Sequence, residues 1–383
     1  MFYSFPEDSL DRIIRCDSNI HQIDSDKVSH ISQIIQRILT NTGAQSEVKK
    51  VSHTINSTLF DIEIFNFDIG FEKIKRTEKT MAMRLNMSGV EILPSSICPG
   101  VCISIPKEIR GIVSFGYCYK NSDISYRSHP LDFTLGVDMY NKPIKYNLAK
   151  LPHLLIAGST GSGKSTCVHN IISSILCHAE PYSVQFIMID PKQVELVRYE
   201  KLHKSFMFCD PIYHPYNVTE ILYSMAALID NTFKMLRNAN CANIGEYNAK
   251  HAVKLQYFVI VIDELAELMF RSKKEVEPLL VKIAQLGRAA GVHMIAATQR
   301  PSREVVTGLI KINFPASICF RVQSGINSRI ILNQSGGEKL LGQGDGLILD
   351  GTEIMPKRFQ AALTSSEGTH KIIDVINSQF TGD

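Results

Sequence analysis

Apolar and polar positions change rhythm twice along this chain. Near the start, Val28, Ile31, Ile34, Ile35, Ile38 and Leu39 recur at helical spacing, so residues 1–44 read as a helical segment that Asp26 can cap. Phe60-Asp61-Ile62-Glu63-Ile64 alternates and slips, and Phe65, Phe67 and Ile69 resume one register later, which predicts a half-buried strand with a bulge. Residues 73–92 have the spacing of a helix, short β-like pieces with Pro and Gly follow, and polar 121–129 reads as a loop. Residues 45–130 are thus expected to form a small α+β domain.

From Phe133 the texture is different. Apolar runs of strand length at 153–157, 184–189, 257–262, 293–297 and 317–322 alternate with helical segments. Near-continuous apolar strands separated by helices imply a mainly parallel sheet covered on both faces. Residues 131–383 are therefore expected to be one α/β domain.

Composition narrows the class. A 383-residue chain with 44% hydrophobic and 21% charged residues is a folded protein with more than one core. No stretch approaches the ~20 apolar residues of a membrane span, and the start lacks the basic and apolar regions of a signal peptide. The expectation is a soluble, cytoplasmic protein that would reach a membrane only through a recruitment partner, whose identity stays unknown. The nine cysteines are scattered, and the closest pair, Cys98 and Cys102, has no second pair to complete a zinc site, so they read as reduced thiols. A net charge of +3 neither demands nor excludes nucleic acid, which leaves that case to local clusters.

One segment carries specific chemistry. Gly158-Ser159-Thr160-Gly161-Ser162-Gly163-Lys164-Ser165, followed by Thr166, fits the pattern G-x-x-x-x-G-K-[ST]. It follows the strand Leu154-Leu155-Ile156-Ala157 and opens a helix, as a phosphate cradle requires. Glycines let successive N–H groups converge on one anion, and the helix N-terminus adds partial positive charge. Lys164 is placed for the β- and γ-phosphates of ATP, and Ser165 for Mg2+. The second half is Tyr257-Phe258-Val259-Ile260-Val261-Ile262-Asp263-Glu264, an apolar strand ending in paired carboxylates. Asp263 suits the Mg2+ water shell, and Glu264 suits a general base that activates the attacking water. The strand 184–189 lies between these motifs in sequence, as in phosphate-loop ATPases with an extra strand in the core sheet. A further strand ends at Thr298-Gln299, where Gln299 can sense the γ-phosphate.

These residues, with their order, resemble the FtsK/SpoIIIE family of DNA translocases. The resemblance rests on HLLIAGSTGSGKS at 153–165, FIMIDPK at 186–192 with Glu195-Leu196, and VIDELAEL at 261–268. It continues through AQLGRAAGVH at 284–293, ATQRPSREVVTGLIK at 297–311 and the glycine-rich stretch 328–346. It implies a RecA-like phosphate-loop ATPase preceded by a small α+β domain, working as a homo-oligomeric, hexameric ring that pumps double-stranded DNA. It also implies that Arg288 reaches the neighbouring subunit's ATP, and that Arg300, Lys311, Arg321 and Arg329 face DNA. Residues 300–330 hold five basic residues against the single acidic Glu304, a grip suited to phosphates of any sequence.

The match has departures. Gly325 and Asn327 stand where many members of that family carry a lysine and an aspartate, and Arg321 can offset the lost phosphate contact. Only about 25 residues follow Arg358, too few for a winged-helix domain, so the chain resembles a short form suited to DNA transfer or maintenance. Two other readings stay open: a motor for another polymer, such as single-stranded DNA in conjugation or protein in secretion, and a DNA-binding partition scaffold that uses ATP only to assemble.

Overall fold

The computed structural model describes residues 24–66, 68–87, 89–108, 111–125 and 128–380. The helical segment expected before residue 24, and Phe67 of the expected bulge, lie outside the described residues. The chain forms two compact units, one running to Val113 and including Met139–Lys142, the other made of Ser114–Asp138 and the residues from Pro143 onward.

The smaller unit contains α1 (Ser25–Asn41), β1 (Ser46–His53), β2 (Ser57–Ile64), α2 (Phe71–Lys75), α3 (Glu78–Leu85), β3 (Glu91–Pro94) and β4 (Gly100–Pro106). Its four strands form an antiparallel sheet in the order β1-β2-β4-β3. Ile31, Ile35 and Leu39 of α1 bury against Phe60, Ile62, Ile103 and Ile105 of the sheet, which is the stripe the helical spacing predicts.

Three local expectations change. Asp24 precedes α1 without a side-chain cap bond, so Asp26 sits in the first turn instead of capping. The register slip lies in β1, between Val48 and Lys50, while β2 stops at Ile64 opposite Ser46, the first residue of β1. Beyond Ile64 the Phe65 N–H still donates to the Gln45 carbonyl at 2.9 Å, but the Phe65 side chain is exposed. The helix expected over 73–92 is split at Arg76 and Thr77 and ends at Asn86, whose φ of 52° is a left-handed stop.

The larger unit runs α4 (Phe115–Lys120), β5 (Asp132–Asp138), β6 (Pro143–Asn147), β7 (His153–Ala157), α5 (Lys164–Leu176) and β8 (Val184–Ile189). It continues through α6 (Pro215–Asn238), α7 (Ile244–Lys250), β9 (Tyr257–Ile262), α8 (Leu265–Ala290), β10 (Val292–Thr298) and α9 (Gly308–Asn313). It closes with β11 (Ala316–Phe320), α10 (Gly325–Leu332), β12 (Asp345–Leu349), β13 (Lys357–Ala361) and α11 (Ser366–Ser378). Nine strands share one sheet, ordered β6-β5-β13-β12-β11-β7-β10-β9-β8. From β11 to β8 every neighbour pair is parallel, and from β11 to β6 every pair is antiparallel.

Side chains alternate between two cores, as the strand pleat dictates. Leu154, Ile156, Phe186, Met188, Val259 and Val261 face α5 and α11. Leu155, Ile187, Ile189, Ile260, Ile262 and Met294 face α6 and α8. Both faces are therefore apolar, which explains the unbroken hydrophobic runs of the parallel strands. The strand that stands between β7 and β9 in space is β10, while β8 takes the outer edge. No helix among the described residues is long and apolar enough to cross a membrane.

This order brings the ends of β7, β10, β9 and β8 to one edge of the sheet. Carboxyl ends of parallel strands are where open α/β sheets bind ligands.

Candidate functional site

The loop between β7 and α5 is pinned from three sides. Gly158 N–H donates to the Thr298 carbonyl at 3.3 Å, Ser159 N–H donates to that of Arg321 at 2.9 Å, and Gly344 N–H donates to that of Ser162 at 2.8 Å. Gly163 has a φ of 114°, and a Cβ there would lie 2.7 Å from the backbone of Gly344. Only glycine meets both the backbone angle and that close approach. The helix N-terminus that follows brings free N–H groups and the positive end of its dipole to the loop. Within the loop, the buried Ser162 Oγ has no hydrogen-bond partner, an orphaned polar group of the kind a phosphate oxygen satisfies.

Lys164 is buried, and its Nζ lies 3.0 Å from both the carbonyl oxygen and Oδ1 of Asp263. The lysine crosses the width of β10 to make this pair, joining the phosphate loop to the end of β9. Burial pushes the Asp263 carboxyl above the usual carboxylate range, against the downward pull of the Lys164 ammonium. Ser165 and Asp263 supply oxygen donors of the kind Mg2+ takes. That ion takes most of its shell from phosphate and water, so a pair of protein oxygens suits it.

Glu264 is held on both carboxylate oxygens. Oε1 accepts from the Thr298 hydroxyl at 2.7 Å and from the Gln299 N–H at 3.2 Å, and Oε2 lies 3.2 Å from Lys192 Nζ. The carboxylate is 2% exposed, so its direction is set by these partners and not by solvent. Gln299 reaches the other way, its Oε1 accepting from the Thr160 hydroxyl of the phosphate loop at 3.0 Å. The end of β10 thus ties the phosphate loop to Glu264.

A second set of residues gathers at this edge. Asp190, fully buried at the end of β8, accepts backbone N–H bonds from Lys192, Val194, Glu195 and Leu196. It folds the 190–196 loop so that Lys192 meets Glu264 and Glu195 meets the helix of the phosphate loop. Glu195 Oε2 lies 3.2 Å from His169 Nε2, and the His169 and Ser165 side chains help hold the Glu195 carboxyl well down, at about 2. The segment 186–192 with Glu195 carries part of the family resemblance, but nothing in it names these partners.

The remaining candidates lie elsewhere. α8 leaves the site edge at Leu265 and runs to the opposite edge, where Gly287 presses on Val292, a Cβ there coming within 2.4 Å of the carbonyl oxygen. Arg288 is exposed at that far edge, where its charge helps lower the pKa of His153 and His293 at the starts of β7 and β10. It does not meet its own chain's phosphate loop. Arg300, Arg321 and Arg329 are exposed: Arg300 just beyond β10, Arg321 just beyond β11 at the rim of the phosphate loop, and Arg329 in the last turn of α10. Lys311 turns inward, its Nζ bonded to Ser317 Oγ at 3.0 Å and to the Ile331 carbonyl oxygen, with burial lowering its pKa to about 8.

Known proteins share both sequence and architecture with this chain. The FtsK/SpoIIIE family model matches residues 118–303. A DNA translocase FtsK of Streptococcus agalactiae is 34% identical over 373 residues, covering 94% of this chain and 45% of the relative. The DNA translocase SftA of Bacillus subtilis is 33% identical over 373 residues, covering 94% and 38%. The chain spans less than half the length of these relatives. Among solved structures, the pCW3 conjugation coupling protein TcpA in its monomer form with ATPγS matches with a TM-score of 0.63 at 23% identity, covering 92% of this chain and 100% of that one. The cytoplasmic domain of the Thermomonospora curvata type VII secretion ATPase EccC matches at a TM-score of 0.56 and 23% identity, covering 68% and 33%. At that identity the two structures establish a shared fold, that of RecA-like phosphate-loop ATPases. By its motifs and by its similarity to these translocases, residues 118–303 of this chain belong to the FtsK/SpoIIIE family.

Proposed function

We propose that this chain hydrolyses ATP and uses the energy to move double-stranded DNA through a ring of identical subunits, six by resemblance to its family. The observation that carries the hydrolytic part is Glu264, a buried carboxylate aimed by Thr298, Gln299 and Lys192 beside a phosphate loop. A nucleotide switch that never turns over has no use for a base so placed. In this reading the loop N–H groups, Lys164 and the helix N-terminus hold the triphosphate. Glu264 takes a proton from the attacking water, and Gln299 links the state of the phosphates to the segment that follows β10. Ser165 and Asp263 would hold Mg2+, which when bound neutralises charge on the phosphate oxygens.

Assembly enters through Arg288. Its place at the edge opposite its own phosphate loop fits a cation delivered to the ATP of a neighbouring subunit, where it stabilises charge on the transferring phosphoryl group. DNA enters through Arg300, Arg321 and Arg329, whose exposed guanidiniums can meet phosphates without reading bases. The FtsK and SftA relatives are named as DNA translocases, which supports DNA as the transported polymer.

The test is steady-state ATP hydrolysis with linear duplex DNA, single-stranded DNA or an unfolded polypeptide. Duplex is expected to stimulate several-fold more than the other two. Apparent DNA affinity should fall with salt at a log–log slope of roughly 0.9 per phosphate contacted, and Arg300→Ala or Arg329→Ala should each reduce that slope by about one. Stimulation by single strands or polypeptide alone would instead favour a motor for that polymer. ATP-dependent assembly without turnover would favour the scaffold reading.

A further inference from the structure

We propose that Lys192 is a γ-phosphate ligand, its ammonium passing from the Glu264 carboxylate, where the structure holds it, to a γ-phosphate oxygen of ATP. Resting on the nucleotide reading above, this gives Lys192 a contact with the substrate beyond its part in aiming the base.

Glu264 is fully engaged by its partners. Oε1 accepts from the Thr298 hydroxyl at 2.7 Å and from the Gln299 N–H at 3.2 Å. Oε2 accepts from the same Gln299 N–H at 3.3 Å and from Lys192 Nζ at 3.2 Å. These four contacts match the roughly four lone-pair sites of a carboxylate. A general base needs one of those sites turned to the attacking water, so one donor has to leave. Thr298 is fully buried at the end of β10, and the Gln299 donor is main chain, so neither moves without disturbing the sheet. The Lys192 side chain is 37% exposed and ends a flexible four-carbon stem. It is the donor that can leave.

Reach decides where the ammonium goes. A water activated by Glu264 lies about 2.6–3.2 Å from the carboxylate and about 3–3.5 Å from the phosphorus it attacks. An ammonium bonded to that carboxylate is therefore a side-chain rotation away from the γ-phosphate oxygens. Charge favours the same transfer. Each lysine of the site has one carboxylate, Lys164 with Asp263 at 3.0 Å and Lys192 with Glu264. A γ-phosphate adds a second anion beside Lys192, with oxygens that accept strong charge-assisted bonds. The backbone under the lysine stays fixed, since buried Asp190 accepts the N–H groups of Lys192, Val194, Glu195 and Leu196. A fixed backbone with a mobile side chain suits a cation that exchanges partners.

The experiment is calorimetric titration of the full chain with ADP and with non-hydrolysable AMP-PNP, both in Mg2+. The ratio of the two dissociation constants is the gain due to the γ-phosphate. In Lys192→Met this gain should fall about tenfold, with ADP binding within about twofold of the parent. The same substitution in a Glu264→Gln background separates direct contact from action through the base. There the gain should again fall about tenfold, because the lysine touches the phosphate itself. A gain unchanged by Lys192→Met overturns the inference and leaves Lys192 only the aiming of Glu264. So does a loss that disappears in the Glu264→Gln background, or an equal loss for ADP and AMP-PNP. If the parent protein binds neither nucleotide, the nucleotide reading fails first and takes this inference with it.

Discussion

Glu264→Gln is expected to lower the ATP turnover number by about 10²–10⁴-fold while the chain still binds ATP. The substitution keeps shape and changes charge, so the phosphate loop, Lys164 and Asp263 are left as they are. What disappears is the acceptor for the proton of the attacking water. The surroundings of Glu264 make the loss hard to replace: Thr298, Gln299 and Lys192 fix the carboxylate direction, and at 2% exposure no bulk water stands in for it. Turnover by a coupled assay and binding by a fluorescent analogue separate the two effects. Retained turnover would move the base to another residue, and lost binding would show that Glu264 supports the fold of the site.

Arg288→Ala should cost on the order of 10³-fold in turnover, the range measured for arginines that enter a phosphoryl-transfer site. Its particular signature is complementation. Each chain places Glu264 at one edge of the sheet and Arg288 at the other, so a hydrolytic site in a ring draws the two from different subunits. Glu264→Gln and Arg288→Ala proteins, each inactive alone, should regain measurable turnover when mixed, because some interfaces then pair an intact Glu264 with an intact Arg288. A mixture as inactive as its components would place both residues in service of the same chain. Full activity of Arg288→Ala alone would return that residue to the solvated surface of α8.

Much of this site is legible in the sequence because its chemistry depends on local order. The phosphate loop is eight consecutive residues whose glycines and lysine are dictated by one turn. The Asp263–Glu264 pair is readable because an apolar strand has to end before two carboxylates can face a ligand. The helical stripe of α1 and the five parallel strands follow from periodicity for the same reason.

What escapes is whatever depends on residues far apart in sequence. Thr298, 34 residues from Glu264, and Lys192, 72 residues away, meet it only because β10 and β8 flank β9. The partners of Asp190 and His169 are equally invisible without the fold. The antiparallel half of the sheet is missed because β12, β13, β5 and β6 come from two distant stretches of chain. Lys311 shows a different limit. Its place in a basic segment says nothing about direction, and the structure spends its ammonium on Ser317 and the Ile331 carbonyl.

The central claim is movement along duplex DNA, and hydrolysis or binding alone does not establish movement. The direct measurement is displacement of a third strand annealed at one site on a linear duplex, followed by gel with ATP, without ATP, and with the Glu264→Gln protein. The account predicts displacement that requires ATP, fails with Glu264→Gln and slows as the path from the loading end lengthens. An intact triplex under conditions where the protein binds the duplex and hydrolyses ATP would contradict it.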